Sequence, residues 1–299
     1  MSRAAAAGDD PFVAHRSLLF TVAYEMLGSA ADAEDVVQET WLRWDGLGEA
    51  ERAGVRDARA YLVRATTRQS LNRLRTLARR KEDYVGEWLP SPLLTAPDVA
   101  DDIELAECVS IAMMTVLETL TPTERAVFVL REVFDVPYDE IAGAVDKSPA
   151  AVRQIAHRAR SHVDARRPRV TVDSTEQREV MERFVAAMQG GDVQALMDVL
   201  APDVVLVADG GGIAAAARVP IVGASKIAAF LRNFPRYSEG TSLTPVWING
   251  ALALRMDGPE PVGTSAISIV VEGGRIARLY AMRNPHKLDR IDTETSLSR

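Results

Sequence analysis

The chain has 299 residues, of which 47% are apolar, so it can form two or three domains that each bury a core. Its formal net charge of −7 excludes a protein coated along its length by nucleic acid, and its single cysteine, Cys108, excludes an internal disulfide. No apolar run is long enough to cross a membrane and the polar, Ala-rich first ten residues hold no apolar signal-peptide core, so a cytoplasmic protein in a reducing compartment is expected.

Residues 1–10 read as a loose tail, and Pro11 to about Lys81 as all-helical. Leu18, Leu19, Val22, Ala23 and Met26 form one apolar face. Gly28 and Ser29 end that helix, and Ser29 with Asp32 opens the next. The second helix runs to about Trp44, with Val36, Val37, Trp41 and Trp44 predicted inward. Its other face is acidic and polar: Asp32, Glu34, Asp35, Gln38 and Glu39, with Thr40 and Arg43. A Gly-containing connector, Asp45 to Arg56, leads to a long basic helix ending near Arg80.

Positive charge is concentrated on this acidic chain. From Arg56 to Lys81 there are nine basic residues against one acid, Asp57, and from Lys147 to Arg169 seven against Asp164. Within the first group Arg64, Arg68, Asn72, Arg75 and Arg79 are spaced four, four, three and four, one stripe along a helix, with Arg80 beside it. Arginines there supply phosphate contacts, and Asn72 is a short side chain able to read a base edge. An acidic face on the preceding helix would repel DNA, so it is predicted to face a protein.

Residues 84–107 read as a linker. Trp88-Leu89-Pro90-Ser91-Pro92-Leu93-Leu94 is apolar and proline-stiffened, and Asp98, Asp101, Asp102, Glu104 and Glu107 follow. A flexible tether would be rich in Gly and Ser; this one contains groups that can pack. Thr121-Pro122-Thr123-Glu124 is a capping box with proline in the first turn, opening a helix with Val127, Leu130 and Val133.

A helix-turn-helix comes next. Its first helix has Ile141, Ala142 and Val145 on one face. Asp146 and Lys147 make the turn, Ser148 caps the next helix and Pro149 sits in its first turn. In the second helix Val152, Ile155, Ala156, Ala159 and Val163 form the buried stripe. Arg153, Gln154, His157, Arg158 and Arg160 line its other face. A helix held by a partner, with donors along its free face, is the geometry that enters a major groove.

From about Thr171 the pattern changes. Helices over 176–189 and 192–200 are followed by a strand at 204–207, Asp209-Gly210-Gly211-Gly212, a helix at 225–234, and strands at 243–248, 251–256, 265–271 and 275–282. Asn249-Gly250 and Gly273-Gly274 are hairpin turns. Helices followed by a meandering antiparallel sheet predict an α+β domain. The tail after Leu288 is polar.

At these residues the chain resembles bacterial RNA polymerase sigma factors of the extracytoplasmic-function group. Asp32-Ala-Glu-Asp-Val-Val-Gln-Glu-Thr-Trp-Leu-Arg-Trp44 is similar to the family's polymerase-binding helix, Ala60 to Arg75 to the helix that recognises the −10 element, and Leu120 to Val163 to the sigma-4 domain that reads the −35 element. The resemblance implies that Asp45 to Arg56 takes up a flipped-out base. It also implies that Asp32, Asp35, Gln38, Glu39 and Trp41 contact polymerase. The C-terminal half resembles a SnoaL-like domain of the NTF2-like, cone-shaped fold. A subgroup of these sigma factors has a fused domain of this kind, with three motifs that recur here: Trp88-Leu89-Pro90, Asp209-Gly210-Gly211-Gly212, and Asn284-Pro285-His286-Lys287-Leu288. The resemblance implies regulation in cis by those residues.

The expected architecture is therefore multidomain. All-α sigma-2 (11–83) and sigma-4 (108–169) domains are joined by a linker (84–107) and followed by an α+β NTF2-like domain (172–288). The expected partners are core RNA polymerase and promoter DNA, with no cofactor and no metal; an unidentified small molecule in the C-terminal domain is a further expectation. Two rivals stay open. An enzyme of the SnoaL-like class would use Asp209 as a base, yet Asp-Gly-Gly-Gly favours a turn, and His15, His157, His162 and His286 all lie outside the strand-rich body. A ligand-sensing helix-turn-helix regulator leaves the acidic helix and the arginine stripe without a task. Finally, an apolar stretch from Trp88 to Leu94 is costly to leave in water. It is predicted to pack on the turn at Asn284-Pro285, with Lys287 facing the linker's acids.

Overall fold

The computed structural model describes residues 10–167, 174–237, 239–260 and 262–299. Helix α1 (Pro11–Leu27) starts on Asp10, whose carboxylate accepts from Phe12 N, and stops at Gly28 in the left-handed region. Ser29 caps α2 (Ala30–Asp45). The connector contains a short helix, α3 (Glu49–Ala53), because the Glu51 carboxylate reaches back to Gly48 N at 3.0 Å. Asp57 caps α4 (Ala58–Glu82). Helices α1, α2 and α4 pack on one another.

The inner face of α2 departs from its expected composition. Ala33, Val36, Val37, Thr40 and Trp44 fill the buried stripe, whereas Trp41 is 40% exposed. Thr40 tolerates burial because its hydroxyl donates to Val36 O at 2.9 Å and lies 3.3 Å from Thr66 Oγ1.

A second helical group follows the linker: α5 (Ile103–Val109), α6 (Ile111–Leu117), α7 (Pro122–Phe128) continuing through a π turn (Val129–Val133), α8 (Tyr138–Val145) and α9 (Pro149–Asp164). Its core is continuous with that of α1, α2 and α4.

The C-terminal part contains α10 (Ser174–Gly190), α11 (Val193–Val199), β1 (Leu200–Asp209), β2 (Ile221–Val222), α12 (Ala224–Leu231), α13 (Phe234–Tyr237), β3 (Ser242–Ile248), β4 (Ala251–Asp257), β5 (Ser265–Glu272) and β6 (Arg275–Met282). The six-stranded sheet has the order β2-β1-β6-β5-β4-β3. It is mixed, not a pure antiparallel meander, because β1 pairs with β6 in parallel. Hairpin turns announce the neighbours β3 to β6; no local signal marks pairing between strands this far apart in sequence. The two-residue β2 lies beside β1 and carries no periodicity to read.

The two faces of the sheet are used differently. Leu206, Leu254, Ile269 and Leu279 pack on Phe184, Leu196 and Ile227 of the domain's own helices. Ala253, Ala266, Tyr280 and Met282, on the other face, cluster with Leu89 of the linker, Ile111 of α6, and Leu288 and Ile291 of the tail. Leu93 belongs to the helical core. The linker is thus built in between the sheet and the helices. Fully burying Leu89 and Leu93 stabilises this placement by roughly 1.5–3 kcal/mol each.

Candidate functional site

Three surfaces and one junction hold the residues singled out from the sequence. On α4, Arg64, Arg68, Asn72 and Arg75 are all exposed along one stripe, while Leu62, Val63, Leu74 and Leu77 face inward. The side chains of Arg79 and Arg80 lie outside the described ones. Arg75 donates to Asn72 Oδ1 at 3.0 Å. Arg68 donates to Gly143 O of α8 at 2.6 Å and lies 3.8 Å from Asp146. The basic stripe is therefore touched by the helix-turn-helix itself.

Helix α9 is one-sided. Val152, Ile155, Ala156, Ala159 and Val163 are its buried residues, and Arg153, Gln154, His157, Arg158 and Arg160 are exposed, as are Lys147 and Ser148. Ser148 Oγ caps the helix at Ala151 N, with Pro149 in the first turn. Asp146 adopts φ +52 to end α8. Arg160 forms two bonds to Glu132, at 3.1 and 2.6 Å, so its fork is occupied inside the protein.

The acidic face of α2 divides in two. Asp32 is buried and its carboxylate accepts from Arg73 Nε at 2.6 Å; Asp35 accepts from the same guanidinium at 2.5 Å but stays half exposed. Glu39 accepts from Gln69 at 2.8 Å. Asp35, Gln38, Glu39 and Trp41 remain on the open side, whereas Asp32 braces α2 against α4.

The junction gathers all three short motifs. Asp209, at the end of β1, is fully buried. Its carboxylate accepts from Gly211 N at 3.1 Å, Leu89 N at 2.9 Å, Lys287 Nζ at 2.7 Å and the Tyr84 hydroxyl. Lys287 Nζ also donates to Leu89 O at 2.6 Å and sits 3.3 Å from the Trp88 ring centroid and 4.8 Å from that of Tyr84. Burial pulls this lysine down to about 8, with Asp209 resisting. Asn284 donates to the Tyr84 hydroxyl at 2.7 Å and caps the turn that Pro285 opens. Gly211, at φ +60, faces Asn284 so closely that a Cβ would lie 2.2 Å from Nδ2, and a Cβ on neighbouring Gly210 would lie 2.2 Å from Ala214 O. Gly212 is backed by Val85. Pro90 is buried with Leu89.

Two expectations change here. Lys287 pairs with Asp209 of β1, not with a linker acid; Asp102 instead caps α5 and meets Arg299. And Asp209, expected by the enzyme reading to serve as a free base, has both oxygens engaged by donors. A cavity of about 330 Å³ lies beside this loop, lined by residues including Val85, Gly86, Ile213 and Arg218.

Charge continues inward from the junction. Lys81 Nζ lies 4.8 Å from the Trp88 ring and bonds Glu118, which also accepts from Arg125 Nη1 at 2.7 Å. Burial pushes the Glu118 carboxyl up, but Arg125 and Lys81 outweigh it and hold it below its ordinary value. Arg125 Nε donates to Glu25 O of α1 at 2.7 Å. Glu25 itself is fully buried.

Residues 12–80 match the model of Sigma-70 region 2, and residues 110–163 that of Sigma-70, region 4. The chain is 36% identical to the ECF RNA polymerase sigma factor SigJ of Mycobacterium tuberculosis, over 92% of this chain and 91% of the relative. The chain belongs to the extracytoplasmic-function RNA polymerase sigma factors. It is also 32% identical to the probable ECF RNA polymerase sigma factor SigI of the same organism, over 94% of each chain. The crystal structure of SigJ superposes with a TM-score of 0.74 at 34% identity, covering 92% of this chain and 96% of that one. As a sigma factor the protein binds core RNA polymerase and promoter DNA and is not an enzyme. Its helical half is followed by an α+β domain built on a six-stranded mixed sheet. Among the described residues no helix is long and apolar enough to cross a membrane.

Sequence reasoning missed residues that reach across the junction. Tyr24, Asn249 and Thr95 are buried and bonded to partners distant in sequence, and Arg290 lies 3.6 Å from Glu34. The one signal in the sequence is Asn249-Gly250, and it specifies a turn without saying what the turn meets.

Proposed function

We propose that this sigma factor is held in a compact, promoter-incompetent form by its own C-terminal domain, which grips the linker at Trp88-Leu89-Pro90. The observation that carries the reading is the Asp209–Lys287 pair closed around Leu89 and Trp88. A linker whose main chain and ring are both bonded to the C-terminal domain cannot extend. Extension is what lets the two DNA-reading modules reach separate promoter elements. Arg68 against Gly143 and Asp146 adds support, since a helix that meets the −10 element is here engaged by the helix-turn-helix.

In this reading Arg64, Arg68, Asn72, Arg75, Arg79 and Arg80 serve the −10 element. Lys147, Ser148, Arg153, Gln154, His157 and Arg158 serve the −35 element, and Arg160 joins them once Glu132 releases it. Asp35, Gln38, Glu39 and Trp41 meet core polymerase, with Asp32 shaping that face. The cavity beside Gly212 and Val85 touches loop and linker together, so a small molecule bound there would bear on the grip.

The test is run-off transcription with core polymerase, using the full chain, a chain ending before Asn284, Trp88→Ala, and a chain ending at Pro168. The first truncation and Trp88→Ala should both raise activity. The last should lower it if the domain also positions the active form, since a tethered domain acts at high effective concentration. Equal activity from the full chain, the short truncation and Trp88→Ala rejects inhibition in cis.

A further inference from the structure

The β3–β4 turn has little local reason to be buried. Asn249 and Gly250, at φ +53 and +71, form a hairpin turn of the kind that ordinarily projects into water. Here Asn249 is 0% exposed. Its Oδ1 accepts from Leu93 N at 2.8 Å, and its Nδ2 donates to the Tyr24 hydroxyl at 2.7 Å and to Val109 O at 2.6 Å. The Tyr24 hydroxyl donates onward to Ser91 O at 2.7 Å. Asn249 N donates to Leu93 O at 2.9 Å, and Gly250 N to Thr95 Oγ1 at 3.1 Å. A Cβ on Gly250 would lie 2.9 Å from Ala106 Cα.

One amide thus joins α1 of the sigma-2 region, the last residue of α5 at the entrance to the sigma-4 region, and the linker. The turn does not require it. Asp or Gly satisfies a two-residue turn with positive φ as well as Asn does. What Asn adds is one acceptor and two donors on a single planar group. Tyr24 has already committed its proton to Ser91, and Val109 O lies at a helix end, where a carbonyl lacks an intrahelical partner. Both therefore need a donor, and an Asp carboxylate would offer neither.

We propose that Asn249 is a positioning residue that ties the sigma-2 and sigma-4 regions to each other through the C-terminal domain, as a second clasp separate from the one at Lys287. The proposal rests on the cis-inhibition reading and deepens it. The linker is gripped at its front, Tyr84 to Leu89, by Asp209, Asn284 and Lys287. It is gripped at its rear, Leu93 to Thr95, by Asn249 and Gly250, while Ser91 is held by Tyr24 and Gly28 of the sigma-2 region. Releasing the front leaves α1 still joined to α5 through the amide. The rear clasp therefore adds a bond through the C-terminal domain to the direct packing of the two promoter-reading modules on each other.

The experiment uses the full chain with Asn249→Gly, Asn249→Asp, Tyr24→Phe, and Tyr24→Phe with Asn249→Gly, alongside Lys287→Met. Small-angle scattering reads compactness, and run-off transcription with core polymerase reads activity. Both Asn249 variants should enlarge the radius of gyration and raise run-off several-fold with Lys287 intact. Tyr24→Phe should do so by less, and the double variant by no more than Asn249→Gly, because the two groups share one bond. A gain of activity is the readout that mere structural damage does not produce. If Lys287→Met raises activity while the Asn249 variants stay compact and inactive, the rear clasp is rejected and cis inhibition stands. If the Asn249 variants expand with unchanged run-off, the clasp stands and cis inhibition is rejected. Should the Asn249 variants fail to fold, Tyr24→Phe, which loses only a hydroxyl, decides: no expansion overturns the proposal.

Discussion

Helices α1 and α9 are of similar length and meet the rest of the molecule in opposite ways. On α9 the buried residues are the five expected from their spacing, and the polar face is open. On α1 burial goes nearly all the way round: Thr21, Tyr24 and Glu25 are as hidden as Leu19 and Val22. Hydrophobic periodicity describes a helix that packs on one side. It cannot describe one whose second side is covered by the linker, by α7 and by a turn of the sheet. Polar groups on that second side, like those at the junction of linker and tail, are then buried among partners from remote sequence, and a single change at such a place should cost most.

The largest effect is expected at Lys287. Replacing it with Met leaves Asp209, which has 0% exposure, without its countercharge. Breaking a buried pair from one side costs about 3–5 kcal/mol, whereas removing both charges costs far less. Urea unfolding of Lys287→Met, Asp209→Asn and the double variant should show the double variant closer to wild type than Lys287→Met alone. Simple additivity would mean that the two groups do not act as a pair.

This contrast explains what was legible. The helix-turn-helix was readable because its signals are local: a cap at Ser148, Pro149 behind it, and apolar residues three and four apart. The linker was readable in part, because a tryptophan, leucines and prolines in one short run have no reason to stay in water. Lys287 meets a carboxylate as its charge suggests, but in β1 and not in the linker, since nothing in the sequence says that β1 ends beside the tail. Asn249 and Tyr24 were not readable at all. An Asn-Gly turn looks the same whether it meets water or three other segments, and the parallel pairing of β1 with β6 leaves no mark on either strand.

Glu25 comes next. Burial pushes its carboxyl up to about 8, and Arg125 only partly offsets it; Tyr24 and Cys108 are the other titratable groups coupled to it. Wherever the chain opens, the group returns to its ordinary value of 4.5. Between those values the closed form holds the extra proton. Its stability is therefore unaffected below the lower value, falls as pH rises through the window by at most about 1.4 kcal/mol per pH unit, and is lowest above the upper value. Lys287 acts with the opposite sign, from about 8 to 10.5, because its depressed value favours the closed form as pH rises. Thermal melting should decline between pH 4.5 and 8 in the parent and lose that decline in Glu25→Gln. A parallel decline in both proteins would place the titrating group elsewhere.

On the open face of α9 a change should be felt by DNA alone. Gln154→Ala should leave melting unchanged and Arg153→Ala should lose only its stacking over the Tyr138 ring at 5.7 Å, while both alter preference among −35 sequences, at roughly 1–3 kcal/mol per lost bidentate base contact. Arg75→Ala on α4 should weaken promoter binding across sequences and reduce its salt dependence. If the α9 variants weaken every sequence alike, the division between base reading and phosphate contact is wrong.

A small effect on stability, and a sharp one on partner choice, is expected at Asp35. Its contact with Arg73 is half exposed, and such pairs contribute about 0–1 kcal/mol. Arg73 also keeps its bond to Asp32 at 2.6 Å, so α2 stays braced against α4 when Asp35 changes. Asp35→Arg should therefore fold normally and bind core polymerase more weakly in a pull-down. Asp35, Gln38 and Trp41 are exposed with the C-terminal domain in place. The loss should then be equal in the full chain and in the chain ending before Asn284. A loss seen only after truncation would mean that the closed form hides α2 as it hides α1, and the face open to polymerase would have to be sought elsewhere.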